Sequence, residues 1–158
     1  MYDSLLNLDP SVTTDCSRVA IDSGNVIGHA LLAPRNIRIC GSDCPAGLIG
    51  MVVVQPEFQG KGVGSALVED IHHLADIRGL GLLVLAGDPA YYRRFGYRDA
   101  FVRAERVIQI PESDSSGPST LRPALPSDID SLVRLSSQSV PSGSVTPTRD
   151  RWDWILRT

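Results

Sequence analysis

The sequence predicts an α/β (α+β) fold, a mixed central sheet flanked by helices, on three observations. An apolar run at Val52-Val53-Val54 leads through Gln55 to Gln59 into a glycine-rich turn, Gly60-Lys61-Gly62-Val63-Gly64, and then a helical pattern. A second apolar run, Leu82 to Ala86, follows that helix. Upstream, Arg18 to Ile21 and Val26 to Ala33 flank Asp22-Ser23-Gly24-Asn25, the composition of a hairpin turn. Strand, helix, strand implies a parallel pair with a right-handed crossover, and the hairpin adds antiparallel strands.

The helix is placed by its apolar residues. Val63, Ala66, Leu67, Ile71, Leu74 and Ala75 recur at three- and four-residue steps and make one face. Glu69, Asp70, His72, His73, Asp76 and Arg78 fall mostly on the other, and Gly79 is a natural stop, so the helix runs from Gly60 or Gly62 to Arg78. Leu82 to Ala86 is continuous in apolar residues, as a strand buried on both faces would be. Ile37 to Gly47 reads as a short cysteine-containing connection, and Leu48 to Val54 as the central strand.

The glycine turn is built for an anion. Glycines at 60, 62 and 64 remove Cβ atoms where a ligand must approach the main chain. The helix start leaves N–H groups without intrahelical acceptors, and these suit phosphate. A Walker loop would need Ser or Thr after the lysine, but Gly62 follows Lys61. A dinucleotide fingerprint would need glycines at first, third and sixth positions, and here they fall at first, third and fifth.

What the segment resembles is the acyl-CoA motif of the GNAT acyltransferases: Gln or Arg, two residues, Gly, one residue, Gly or Ala. Gln59, Gly62 and Gly64 match it, and Val52, Val54 and Pro56 match the family's preceding apolar-x-Val-x-Pro strand end. Downstream, Gly87-Asp88-Pro89-Ala90-Tyr91-Tyr92-Arg93-Arg94-Phe95-Gly96-Tyr97 is similar to the family's next strand-to-helix junction. Its Gly-Asp-Pro-x-Tyr-Tyr wording resembles a bacterial subfamily of predicted N-acetyltransferases.

The resemblance implies the GNAT fold and acetyl-CoA as co-substrate. Main-chain amides over Gln59, Gly60, Lys61, Gly62, Val63, Gly64 and Ser65 would hold the pyrophosphate, and the edge of Val52, Val53 and Val54 would pair with the pantetheine arm. It implies direct attack by a primary amine of a small molecule or peptide on the thioester, with Tyr92 as the acid that protonates the departing thiolate. The alternative is that Tyr91 and Tyr92 simply pack, as helix aromatics do. An oxyanion amide is expected on the Val52–Val54 strand at a bulge, with Val54 nearest, and Gln55 is expected to shape the pocket. For the base, Glu57 and Asp88 stand beside a relay through water, and a solvated surface carboxylate is the rival account of Glu57.

Composition bounds this without specifying it. The chain has 158 residues, 42% of them hydrophobic, enough for one compact domain, with no apolar run near the roughly 20 residues a membrane span requires. A net charge of −3 argues against nucleic-acid binding. Arg93, Arg94, Arg98, Arg103 and Arg106 either meet a phosphate or coat a solvent face, and the solvent face is favoured. Cys16, Cys40 and Cys44 make a disulfide framework unexpected, Met1 to Asp15 lacks a secretory signal, and a cytoplasmic location is inferred. His29, His72 and His73 show no partner in sequence, so neither a triad nor a metal site is expected.

The chain ends pose a puzzle. A complete domain of this kind begins with a strand and two helices before the hairpin, for which residues 1–47 leave no room. After a linker-like 111–120, Leu121-Arg122-Pro123-Ala124-Leu125-Pro126-Ser127-Asp128 resembles such a beginning, with Ser127 as helix cap and Pro147 to Arg157 as second helix. Three units follow: a core over 1–110, the linker, and a strand-helix-helix segment over 121–158. Either the chain joins the end of one domain to the start of the next, the preferred account, or the tail docks as the missing strand. Docking would be within the chain or by exchange in a homodimer. A non-catalytic acyl-CoA-binding module is the remaining functional alternative.

Overall fold

The computed structural model describes residues 11–100, 121–138 and 140–157; the expected linker at 111–120, with Arg103 and Arg106, lies outside them. Four strands form one mixed sheet in the order β1 (Ser17–Asp22), β2 (Asn25–Ile39), β3 (Ser42–Val54), β4 (Leu82–Leu85). The first three pair antiparallel, and β3 pairs parallel with β4. Helix α1 (Val63–Ile77) covers one face and supplies the crossover between β3 and β4.

The α1 periodicity is realised in packing. Leu67, Ile71 and Ala75 are buried against Ala30, Leu32 and Ile49 of the sheet. A bidentate Arg18–Asp70 ion pair ties β1 to the polar flank of the same helix. Ile71 is fully buried, so Ile71→Val, which deletes one methylene, is expected to cost about 0.5–1.5 kcal/mol, read as a shifted denaturant midpoint at unchanged slope.

The first hairpin turns at Ser23–Gly24 as expected, and a second one replaces the expected connection over 37–47. Cys40 and Gly41 take successive positive φ of 47° and 85°, the geometry of a two-residue turn between twisted strands. Pairing then runs from Ile39↔Ser42 to Pro34↔Gly47. Pro34 and Pro45 disguise these strands, since proline is scarce inside sheets.

Two features of β3 shape the site. His29 pairs with Val53 and Leu31 with Gly50, so Met51 and Val52 oppose the single residue Ala30: a β-bulge, with Met51 at φ +55°. The bulge thus precedes Val54, where the oxyanion amide had been expected. Further, β3 and β4 part after Ile49↔Leu85, while β3 runs on to Val54. A wedge opens between them.

The tail forms α3 (Ile129–Gln138) and α4 (Arg149–Arg157), with the Trp152 indole N–H donating to Ser136 Oγ at 3.4 Å. Residues 121–125 form no strand: Leu121 is 95% exposed, and Pro123 and Pro126 withhold amide donors. Asp128, rather than Ser127, closes the turn before α3, accepting the Leu125 N–H at 2.8 Å, and the adjacent Arg122 guanidinium holds its carboxyl well below the usual carboxylate range. The strand-like contact comes later. Gly143 N–H donates to the Arg38 carbonyl at 2.7 Å, Arg38 N–H to Ser144 at 2.9 Å, and Thr146 N–H to Asn36 at 2.7 Å. Residues 143–146 so lie along the distal half of β2, on the edge β1 leaves open. Among the described residues, no helix is long and apolar enough to cross a membrane.

Candidate functional site

The wedge between β3 and β4 is a cavity of about 830 Å³. One wall is β3 from Ile49 to Val54 with the glycine turn; the other is Ala86 to Asp88 with the short helix α2 (Pro89–Tyr92). The first turn of α1 closes with Ala66 N–H donating to the Gly62 carbonyl at 3.0 Å. The preceding N–H groups of Val63, Gly64 and Ser65 therefore stand at the open, positive helix end. Gly62 caps it at φ +88°, a conformation natural to glycine. Gly64 has a different reason: a Cβ there would lie 2.6 Å from the Tyr91 hydroxyl.

Of the residues expected to bind cofactor, Val52, Val54, Gln59, Gly60, Gly62, Gly64 and Ser65 line this cavity. Gln59 also braces the turn, its amide donating to the Val54 carbonyl at 3.0 Å. Val53, Lys61 and Val63 are not among the lining residues. Val53 is 58% exposed, Val63 packs on the core, and the Lys61 ammonium sits over the Phe58 ring at 5.3 Å.

Tyr92 lines the cavity from α2, half-buried, with its ring where a Cβ on Gly87 would otherwise stand. Burial, and next the neighbouring Tyr91, push its phenol above the ordinary value of 10. Tyr91 meets it edge to face at 4.9 Å and Tyr97 at 5.8 Å. Burial and Tyr92 raise the Tyr97 phenol to about 12. Asp88 is committed as the α2 cap, accepting the Ala90 N–H at 2.9 Å, although it also faces the cavity. Glu57 is exposed on the turn Pro56–Phe58 and is not among the lining residues. Gln55, expected to shape the pocket, instead donates to the Val26 carbonyl at 2.8 Å and locks the end of β3 to the start of β2.

Several contributors were not anticipated. Arg94, assigned by sequence to a solvent face, lines the cavity; it stacks over Tyr91 at 4.1 Å and donates to Ser65 Oγ at 3.0 Å, setting a cation beside the helix start. Arg93 does face solvent, paired with Asp99 at 3.0 Å. Two histidines have partners that sequence did not reveal. His72 shares a 2.8 Å hydrogen bond with the Tyr97 hydroxyl, and His29 bonds to Ser17 and to the Met51 carbonyl. Both contacts join distant segments, so no local spacing announces them. Among the described residues, no cluster of three or more His, Cys, Asp or Glu could hold a metal.

A splayed parallel pair, an anion-ready helix start and a tyrosine on the facing wall suit a thioester carried on a phosphorylated arm. The acetyltransferase (GNAT) domain model matches residues 7–100, more than half of the chain. The chain belongs to the GNAT acetyltransferase family. Acyl transfer is the general activity of that family, with acetyl-CoA the donor that its acetyltransferases use. Solved GNAT-like structures share the fold. Eis1 from Mycobacterium abscessus superposes with TM-score 0.66 at 22% identity, over 98% of this chain and 39% of its own. A conserved protein of Enterococcus faecalis V583, described as a probable N-acyltransferase, gives 0.67 at 19%, over 87% and 37%. A predicted acetyltransferase of Clostridium acetobutylicum, solved with acetyl-CoA, gives 0.52 at 17%, over 58% and 62%. This GNAT chain thus spans well under half the length of the first two. Comparison with curated protein sequences gives no match.

Proposed function

We propose that this GNAT chain is an N-acetyltransferase that moves an acetyl group from acetyl-CoA to a primary amine of a small molecule or peptide. The wedge carries the proposal: it sets the glycine turn of α1 and the Tyr92 phenol on opposite walls of one cavity. The amine nitrogen attacks the thioester carbonyl, the C–S bond breaks, and the thiolate takes the Tyr92 proton. The ammonium proton leaves through water, since Glu57 stands outside the cavity and Asp88 is held as a cap. Arg94, beside Ser65, adds a cation for the CoA phosphates.

The Gly87-to-Tyr92 wording supports placement among bacterial predicted N-acetyltransferases with that motif. For the tail, superposition on nearly the whole of this chain within a much longer one supports reading 121–158 as the start of a second such unit. A homodimer exchanging 143–146 would make the same bonds to β2, and mass in solution decides between the two. Three unpaired cysteines suit the reducing cytoplasm.

The test is thermal unfolding with acetyl-CoA, CoA or ATP. A ligand held only by the folded chain at a hundredfold over its Kd adds about 2.7 kcal/mol. Stabilisation by acetyl-CoA and CoA but not ATP is expected; a cooperative transition unmoved by either CoA form overturns the proposal.

A further inference from the structure

The bulge in β3 has a consequence for the thioester. Because Met51 and Val52 oppose one residue of β2, the regular ladder is disrupted at their shared peptide group. Met51 also holds φ +55°, a region that residues with side chains keep only where their surroundings impose it.

His29 is hydrogen-bonded to this peptide group. Its Nδ1 lies 3.3 Å from the Met51 carbonyl oxygen, and its Nε2 lies 2.6 Å from Ser17 Oγ. A carbonyl only accepts, so Nδ1 carries the proton and donates; in the neutral ring Nε2 then accepts from the Ser17 hydroxyl. The ring is half-buried and bonded at both nitrogens, with Ser17 on β1, His29 on β2 and Met51 on β3. The peptide is trans, as no cis bond occurs among the described residues. Its N–H, on Val52, therefore points opposite to the anchored carbonyl. Met51 and Val52 both line the cavity.

We propose that Ser17 and His29 are positioning residues for acyl transfer: they clamp the Met51 carbonyl so that the Val52 N–H is aimed at the thioester oxygen. This rests on the acetyl-CoA reading above. His29 acts through the Met51–Val52 peptide, from the neighbouring strand, and touches no reacting atom.

Acetyl-CoA has the thioester carbonyl and CoA lacks it, so calorimetric Kd values for the two separate aim from general integrity without needing the acceptor amine. In His29→Ala, acetyl-CoA affinity is expected to fall about three- to tenfold, one neutral hydrogen bond, with CoA affinity unchanged. His29→Asn, whose Nδ2 occupies the position of the imidazole Nδ1, restores most of the difference, and Ser17→Ala loses part of it. Equal weakening of both ligands in every variant, or no change in either, overturns the clamp while leaving the acetyl-CoA reading intact. Failure of the unaltered chain to bind either ligand overturns both.

Discussion

Tyr92→Phe is expected to lower kcat by about a hundredfold or more, with acetyl-CoA affinity unchanged. General acid catalysis contributes roughly 10²–10⁴ to rate. Phenylalanine keeps the ring seated over Gly87 and against Tyr91 and Tyr97, so packing is conserved and the proton alone is lost. The pH profile adds a signature. Burial raises this phenol above 10, so its acid form persists where a free tyrosine would be losing its proton. Wild-type kcat should accordingly hold to above pH 10 on the alkaline side before falling with Tyr92 ionisation, and the Phe variant should lack that limb. A full-rate Phe variant, measured as thiol release once an amine is found, would remove Tyr92 from the chemistry.

Gly62→Val should weaken CoA binding by about a hundredfold, detected as loss of the ligand-induced rise in unfolding temperature. Position 62 sits at φ +88°, where a β-branched residue is strained, and lines the cavity at the α1 start. The substitution both narrows the approach to the main chain and turns the first helical amides. Losing one charge-assisted bond at the upper end of about 1.5–3 kcal/mol gives that magnitude. A second cost of about 1–3 kcal/mol in stability should lower the ligand-free midpoint as well. A variant that binds CoA normally would contradict the glycine turn as the phosphate site.

Local signals carried the legible parts of this fold. The α1 face, its glycine start and the Asp22–Asn25 turn are each determined within a few residues, and the structure has α1 at Val63–Ile77 and a turn at Ser23–Gly24. The hairpin at Cys40–Gly41 escaped because two prolines stand in its strands, one on each, and its turn lacks an Asn-Gly pair. Site residues divide the same way. Glycine-turn positions were legible from spacing, whereas Arg94 enters the cavity by stacking on Tyr91, and His29 meets Met51 only because β2 and β3 align. Alternation also explains Val53: flanked by lining residues, it points to the opposite face.

The seam between residues 143–146 and β2 bears on how the chain assembles. Thr146 hydroxyl reaches Asp43 across 103 positions of sequence, at 2.8 Å. Closing so long a loop carries an entropic cost that hairpins avoid, and contacts of that separation form late on the folding route. The hairpins can zip first and offer β2 as a template; the tail strand then joins last and opens first. Native-state hydrogen exchange should accordingly find the Gly143 and Thr146 amides trading protons through a partial opening, well below the global unfolding free energy, while those of the β2–β3 ladder wait for the whole sheet to come apart.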